Sequence, residues 1–165
     1  VGSRNGAQGW LPRALTQARK AAGISQTDLA KRLKISRQMI VRYETEGGAA
    51  PAAEKLRPLA KELGTAPSAF IDPQAQGMAV LRARVGLSQQ QVAEQLSTEL
   101  PLQAYRGVES GRVARLRSID AQALAEVFGV TAEVVRAAHE HDLARIRQNA
   151  TAPQSLARDT AATQI

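Results

Sequence analysis

Apolar residues recur along the chain at helical intervals, and short breaks rich in Gly, Ser and Pro separate the periodic stretches. Residues 15–22 form the first stretch. Gly23 is placed to stop it, because glycine readily enters the left-handed conformation that ends a helix. Ser25 follows as an N-cap, with Asp28 three positions on in the pattern of a capping box. Leu29, Ala30 and Leu33 then share one face of a second helix. The break Lys34-Ile35-Ser36 ends on another good N-cap, and residues 37–44 predict a short helix with Ile40 and Tyr43 turned inward. A turn-prone loop at 47–51 leads to a helix over 52–63 carrying Leu56, Leu59 and Leu63. Gly64 stops that helix, and 67–70 read as a last helical turn. Five short helical elements with no alternating segment predict a compact all-α domain.

The pattern then repeats. Arg19 and the run Gly23-Ile24-Ser25-Gln26 return 63 positions later as Arg82 and Gly86-Leu87-Ser88-Gln89, followed in both copies by an apolar-Ala pair and a Leu. Further on, Glu44 matches Glu109, Ala60 matches Ala125 and Gly64 matches Gly129 at an offset of 65, so the second copy holds two extra residues between Leu96 and Glu109. One structural unit is therefore used twice. The reading places a first domain at 10–72, a second at 76–148 and a polar, disordered tail at 149–165. Residues 71–77 join the two, spanning at most about 25 Å when extended, less than the roughly 34 Å of one DNA turn. A rigid link is expected.

Two helices capped at Ser25 and Ser36 across a tight turn make a helix-turn-helix. Residues 15–70 resemble the phage-repressor (Cro-like or Xre-like) helix-turn-helix family. Arg19, Gly23-Ile24-Ser25-Gln26, Leu29-Ala30, Leu33, Ile35-Ser36-Arg37, Ile40, Tyr43-Glu44, Pro51 and the run 59–64 carry the resemblance. It implies two tandem five-helix, lambda-repressor-like domains, the second more divergent over 78–130. It also implies an internal ion pair between Arg19 and Glu44, repeated as Arg82 and Glu109. Lys34 departs from the family, which often has Gly in the turn. The loop 46–50 departs as well, since it lacks the basic residues with which relatives grip phosphates.

In this motif the second helix lies in the major groove with its first residues at the base edges. Arg37, Gln38, Val41 and Arg42 fall opposite Ile40 and Tyr43. Arg suits the paired acceptors of guanine, Gln suits adenine, and an apolar group suits the thymine methyl. Gln26 and Ser36 start the two helices, where backbone N–H groups meet phosphates. In the second copy the turn is lengthened to 97–101, with Pro101 at the helix start and Gly107 inside the helix at a cost of about 1 kcal/mol. Gln89, Gln103, Tyr105 and Arg106 are its candidate DNA contacts. Arg112, Arg115 and Arg117 form a basic loop ahead of a helix capped at Ser118. This copy either binds DNA or serves packing or dimerisation.

Composition narrows the partner. Net charge is +7, favouring a polyanion, and it is uneven: residues 1–76 hold 12 Lys/Arg against 6 Asp/Glu, residues 77–165 hold 10 against 9. Cysteine is absent, which removes disulfides and thiolate metal sites. No apolar run approaches the roughly 20 residues needed to span a bilayer, and the first nine residues lack the apolar core of a secretory signal. A cytoplasmic, nucleoid-associated place is expected. His139 and His141, two apart in a helical stretch, are expected on the surface. With few nucleophile–base pairs available, no enzyme activity, cofactor or metal is expected.

The expected function is sequence-specific binding of double-stranded DNA by a bacterial or phage-type repressor. The alternatives are an antitoxin-like or assembly module with a protein partner, or a replication, partition or transfer protein marking a DNA site. The stretch 131–148, with Val134, Val135, Ala138, Leu143 and Ile146, offers either a dimer or partner face or a last helix packed on its own domain.

Overall fold

The computed structural model describes residues 6–151, and all of its regular structure is helical apart from one isolated β-bridge, Trp10 with Ile71. The first repeat holds α1 (Pro12–Ala21), α2 (Gln26–Leu33), α3 (Arg37–Glu44) and α4 (Leu56–Glu62). α1 begins three residues before the apolar pattern does, because Pro12 is suited to a first turn that has no use for its missing N–H. The helix expected over 52–63 is split into a 3-10 turn, Ala53–Lys55, and α4. A second 3-10 turn, Pro67–Phe70, closes the repeat. The second repeat holds α5 (Met78–Val85), α6 (Gln89–Gln95), α7 (Leu102–Glu109), α8 (Ser118–Phe128) and α9 (Ala132–Thr151).

Two hydrophobic cores result. Leu15, Leu29, Ile40, Leu56, Leu59 and Phe70 build the first; Met78, Leu87, Val92, Tyr105, Val108 and Leu124 build the second. The first core extends past the 10–72 boundary, taking in Ala7 on one side and Val80 and Ala83 of α5 on the other. Before α1 the chain lies across the first repeat: Trp10 packs on Phe70 (5.7 Å between ring centroids), and its Nε1 donates to the Tyr43 carbonyl (3.0 Å).

α9 turns Val135 and Ala138 into the second core and leaves Val134 (42%) and Ile146 (37%) exposed. It runs through Asn149 to Thr151, where a disordered tail was expected; residues 152–165 lie outside the described residues. His139, expected on the surface, is 4% exposed, its Nε2 donating to the Val113 carbonyl (2.8 Å), while His141 is exposed. The basic loop folds back onto α9, so this position of the helix is covered. Among the described residues no helix is long and apolar enough to cross a membrane.

Candidate nucleic-acid interface

α2 starts at Ser25, whose hydroxyl accepts from the Asp28 N–H (3.0 Å). The Asp28 carboxylate accepts a hydrogen bond from that hydroxyl (2.7 Å) instead of reaching the Ser25 backbone, being one methylene too short for a full capping box. The box is complete at Ser88 and Gln91, where the longer side chain does reach (2.9 and 3.1 Å). Lys34 ends α2 in the left-handed conformation, φ 56°, a geometry costing an L-residue about 1 kcal/mol. The chain then turns into α3, capped by Ser36 accepting from Met39 N–H (3.1 Å).

α3 divides cleanly. Ile40 and Tyr43 are buried in the first core, and Arg37, Gln38, Val41 and Arg42 are exposed on the other side. Behind them runs a chain of polar contacts. Arg19 donates twice to the Glu44 carboxylate (2.5 and 3.1 Å) and once to the Ile24 carbonyl (2.9 Å). Gln26 Nε2 donates to the same carboxylate (2.7 Å), and its Oε1 accepts from Arg37 (3.3 Å). Burial alone would raise the Glu44 pKa; the Arg19 and Gln26 bonds outweigh it and hold the carboxyl below its ordinary value. The side chain at the start of α2 is thus tied both to the ion pair and to the first residue of α3.

The second repeat keeps the ion pair and changes what surrounds it. Arg82 donates twice to Glu109 (2.7 and 2.9 Å) and once to the Leu87 carbonyl (3.0 Å); Gln89 adds a bond to Glu109 (3.1 Å). Tyr105, expected among the DNA contacts, is instead fully buried, its hydroxyl donating to Glu109 (2.7 Å). Burial first, then the Glu109 charge, push that phenol well above its ordinary pKa. At the offset of 65, Tyr105 stands where Ile40 stands in the first copy, and that register was the signal for its burial. Gln103 matches Gln38, Arg106 matches Val41, and both are exposed on α7.

Gly107 is half-buried for a reason of packing. A Cβ there would stand 2.9 Å from Val113 Cγ2, and the Arg112 and Val113 N–H groups both donate to its carbonyl (2.9 and 3.1 Å). The basic loop therefore closes over the end of α7. Arg112 and Arg115 are exposed there. Arg117 is spent differently: it occupies the cap position of α8, where Ser118 was expected, and its guanidinium binds Asp120 (2.6 and 2.9 Å) in the first turn. In the first repeat the loop 46–50 offers no cation, and Glu46 faces Arg13 (3.4 Å). Among the described residues no cluster of His, Asp and Glu is arranged to hold a metal ion.

A short helix, a tight turn and a second helix with an exposed polar face, all braced by a buried Arg–Glu pair and present twice, define a tandem protein of the DNA-binding helix-turn-helix class. The chain belongs to the helix-turn-helix family, whose model matches it twice, at residues 15–70 and 79–135. No curated protein and no solved structure is significantly similar to it.

Proposed function

We propose that the protein is a sequence-specific regulator of double-stranded DNA, acting as a repressor by occupying its site with α3 in the major groove. The observation that carries this is the α3 face itself: Arg37, Gln38, Val41 and Arg42 exposed together, with their helix fixed from behind by Ile40 and Tyr43. Arg37 and Arg42 supply bidentate donors for guanine, Gln38 an amide for adenine, and Val41 a methyl contact. Ser36 and Gln26 meet phosphates at the helix starts, Gln26 through the second N–H of the Nε2 whose first is donated to Glu44. Gln103 and Arg106 extend the contact in the second repeat, and Arg112 and Arg115 grip phosphates. Their exposure supports this role. A nucleoid location follows from the same reading.

Selection of bound duplexes from a random library, followed by titration at two salt concentrations, tests it. Wild type should enrich a motif that Arg37→Ala/Arg42→Ala loses. Arg112→Ala/Arg115→Ala should keep the motif but bind more weakly, with a salt slope smaller by about 2. Salt-sensitive binding with no motif, equal across these variants, would remove the regulator reading.

A further inference from the structure

We propose that the two repeats are welded into one rigid reader whose target is a two-part duplex site of a single fixed spacing. This rests on the DNA-reading function above and adds the geometry of the target.

The weld is written in the differences between the copies. At the offset of 63, α5 aligns with α1, and two positions have changed character: exposed Gln17 and Lys20 become Val80 and Ala83. Both are buried, and both belong to the core of the first repeat. On its other side α5 gives Met78 and Leu81 to the second core. A helix on the surface of one domain needs one apolar stripe; α5 has two and is shared.

Polar contacts fix the remaining freedom. Arg57 of α4 donates to the Val85 carbonyl at the end of α5 (2.8 Å). At Gly86 the repeats are so close that a Cβ would stand 2.7 Å from Arg57 Cγ and 3.2 Å from Pro67 Cγ. Arg84 reaches back from α5 to three carbonyls of the connecting segment, Asp72 (3.2 Å), Pro73 (3.2 Å) and Ala75 (3.0 Å). Seven connecting residues that could have been a tether are bolted to the helix that follows them.

The first repeat also borders the reading helix of the second. A groove of about 380 Å³ has Ala52 and Glu54, just beyond the loop that leaves α3, among its lining on one side, and Gln89, Gln90 and Arg106 on the other. Flexibly linked domains accept a range of separations, because effective concentration falls gently with span. A welded pair does not. One added base pair moves the second half-site by about 3.4 Å and turns it by roughly 35° about the duplex axis.

The test uses the full chain and the duplex it selects. Two enriched blocks are expected, the second lost with Gln103→Ala/Arg106→Ala. Adding or removing one base pair between the blocks should weaken binding by about tenfold or more, the second half being lost, and adding ten should not restore it. Val80→Gln/Arg57→Ala should bind the altered spacings nearly as well as the original. Residual dipolar couplings on wild type, which do not depend on any variant folding, should fit one alignment tensor for both repeats. Different tensors, or two blocks read equally at several spacings, would overturn the weld and leave the DNA-reading function standing. A single block indifferent to the Gln103/Arg106 change would do the same. With no enriched motif at all, the functional reading falls first and this inference with it.

Discussion

A hydroxyl placed where the other copy has a methyl group changes how a buried carboxylate is held. Glu44 accepts from Arg19 and Gln26; Glu109 accepts from Arg82, Gln89 and Tyr105. The extra donor is buried, so its removal is felt as one lost hydrogen bond, not an orphaned charge. Tyr105→Phe should lower stability by about 1 kcal/mol in urea denaturation. Glu109→Ala strands the Arg82 guanidinium and should cost roughly 3 kcal/mol. Arg106→Ala, on the exposed face of the same helix, should leave the urea midpoint unchanged and weaken DNA binding instead. If Tyr105→Phe left stability untouched and impaired DNA binding, the assignment of that side chain to the interior would be wrong. The ion pairs were legible through the family resemblance, which implies the Arg19–Glu44 pair, and the repeat carried it over to Arg82 and Glu109. Tyr105 was misread because a tyrosine on a reading helix has two plausible faces, and only the register with Ile40 separates them.

At the scale of elements, the start of α5 is capped from far along the chain. Asp142 of α9 accepts from the Met78 N–H (2.9 Å), with Arg145 3.6 Å from its other oxygen. No sequence rule for caps could find this, since caps are sought next to the helix they end and this one comes 64 residues later. The same holds for His139 and Val113: an apolar face on α9 was legible from Val135 and Ala138, but not that it packs on its own domain or which polar side chains it takes inside. Burial pushes the Asp142 carboxyl above its ordinary pKa, and the Met78 N–H and Arg145 only partly offset this. The linkage therefore has the less common sign for a carboxylate. The stabilising contribution is whole below the unfolded pKa, near 3.9, and is lost as pH rises through the raised folded value. Asp142→Asn keeps an acceptor for Met78 without the charge, so it should match or exceed wild-type stability at pH 7, the gap closing toward pH 3. Asp142→Ala should lie about 1 kcal/mol below Asp142→Asn at both. Thermal melts of the three chains at the two pH values decide it, and an Asn variant weaker than wild type at pH 7 would refute the buried-charge account.

Across the whole molecule, the repeat announced two domains and the structure shows how far they share an interior. Periodicity placed the helices of the first copy and the repeat carried them to the second, because short amphipathic helices between caps and glycines leave little choice. It could not show that Val80 and Ala83 face the other repeat, since apolar residues on two sides of a helix also fit a helix buried in one domain. A shared helix has a thermodynamic consequence. Unfolding the second repeat alone would pull α5 away and expose Val80, Ala83 and the first-core residues beneath them, so neither repeat unfolds cheaply without the other. Trp10 is the sole tryptophan, packed against Phe70 in the first repeat, and so reports that repeat alone; far-UV dichroism reports the helices of both. Followed by these two probes, urea unfolding should give coincident single transitions, with the m-value of the whole chain and not of half of it. Val80→Gln should separate the curves, because the link is weakened while each repeat keeps its own core. Two transitions in wild type, with Trp10 following only one of them, would mean that the repeats are neighbours on a chain and not one body, and the fixed spacing of the DNA site would lose its structural cause.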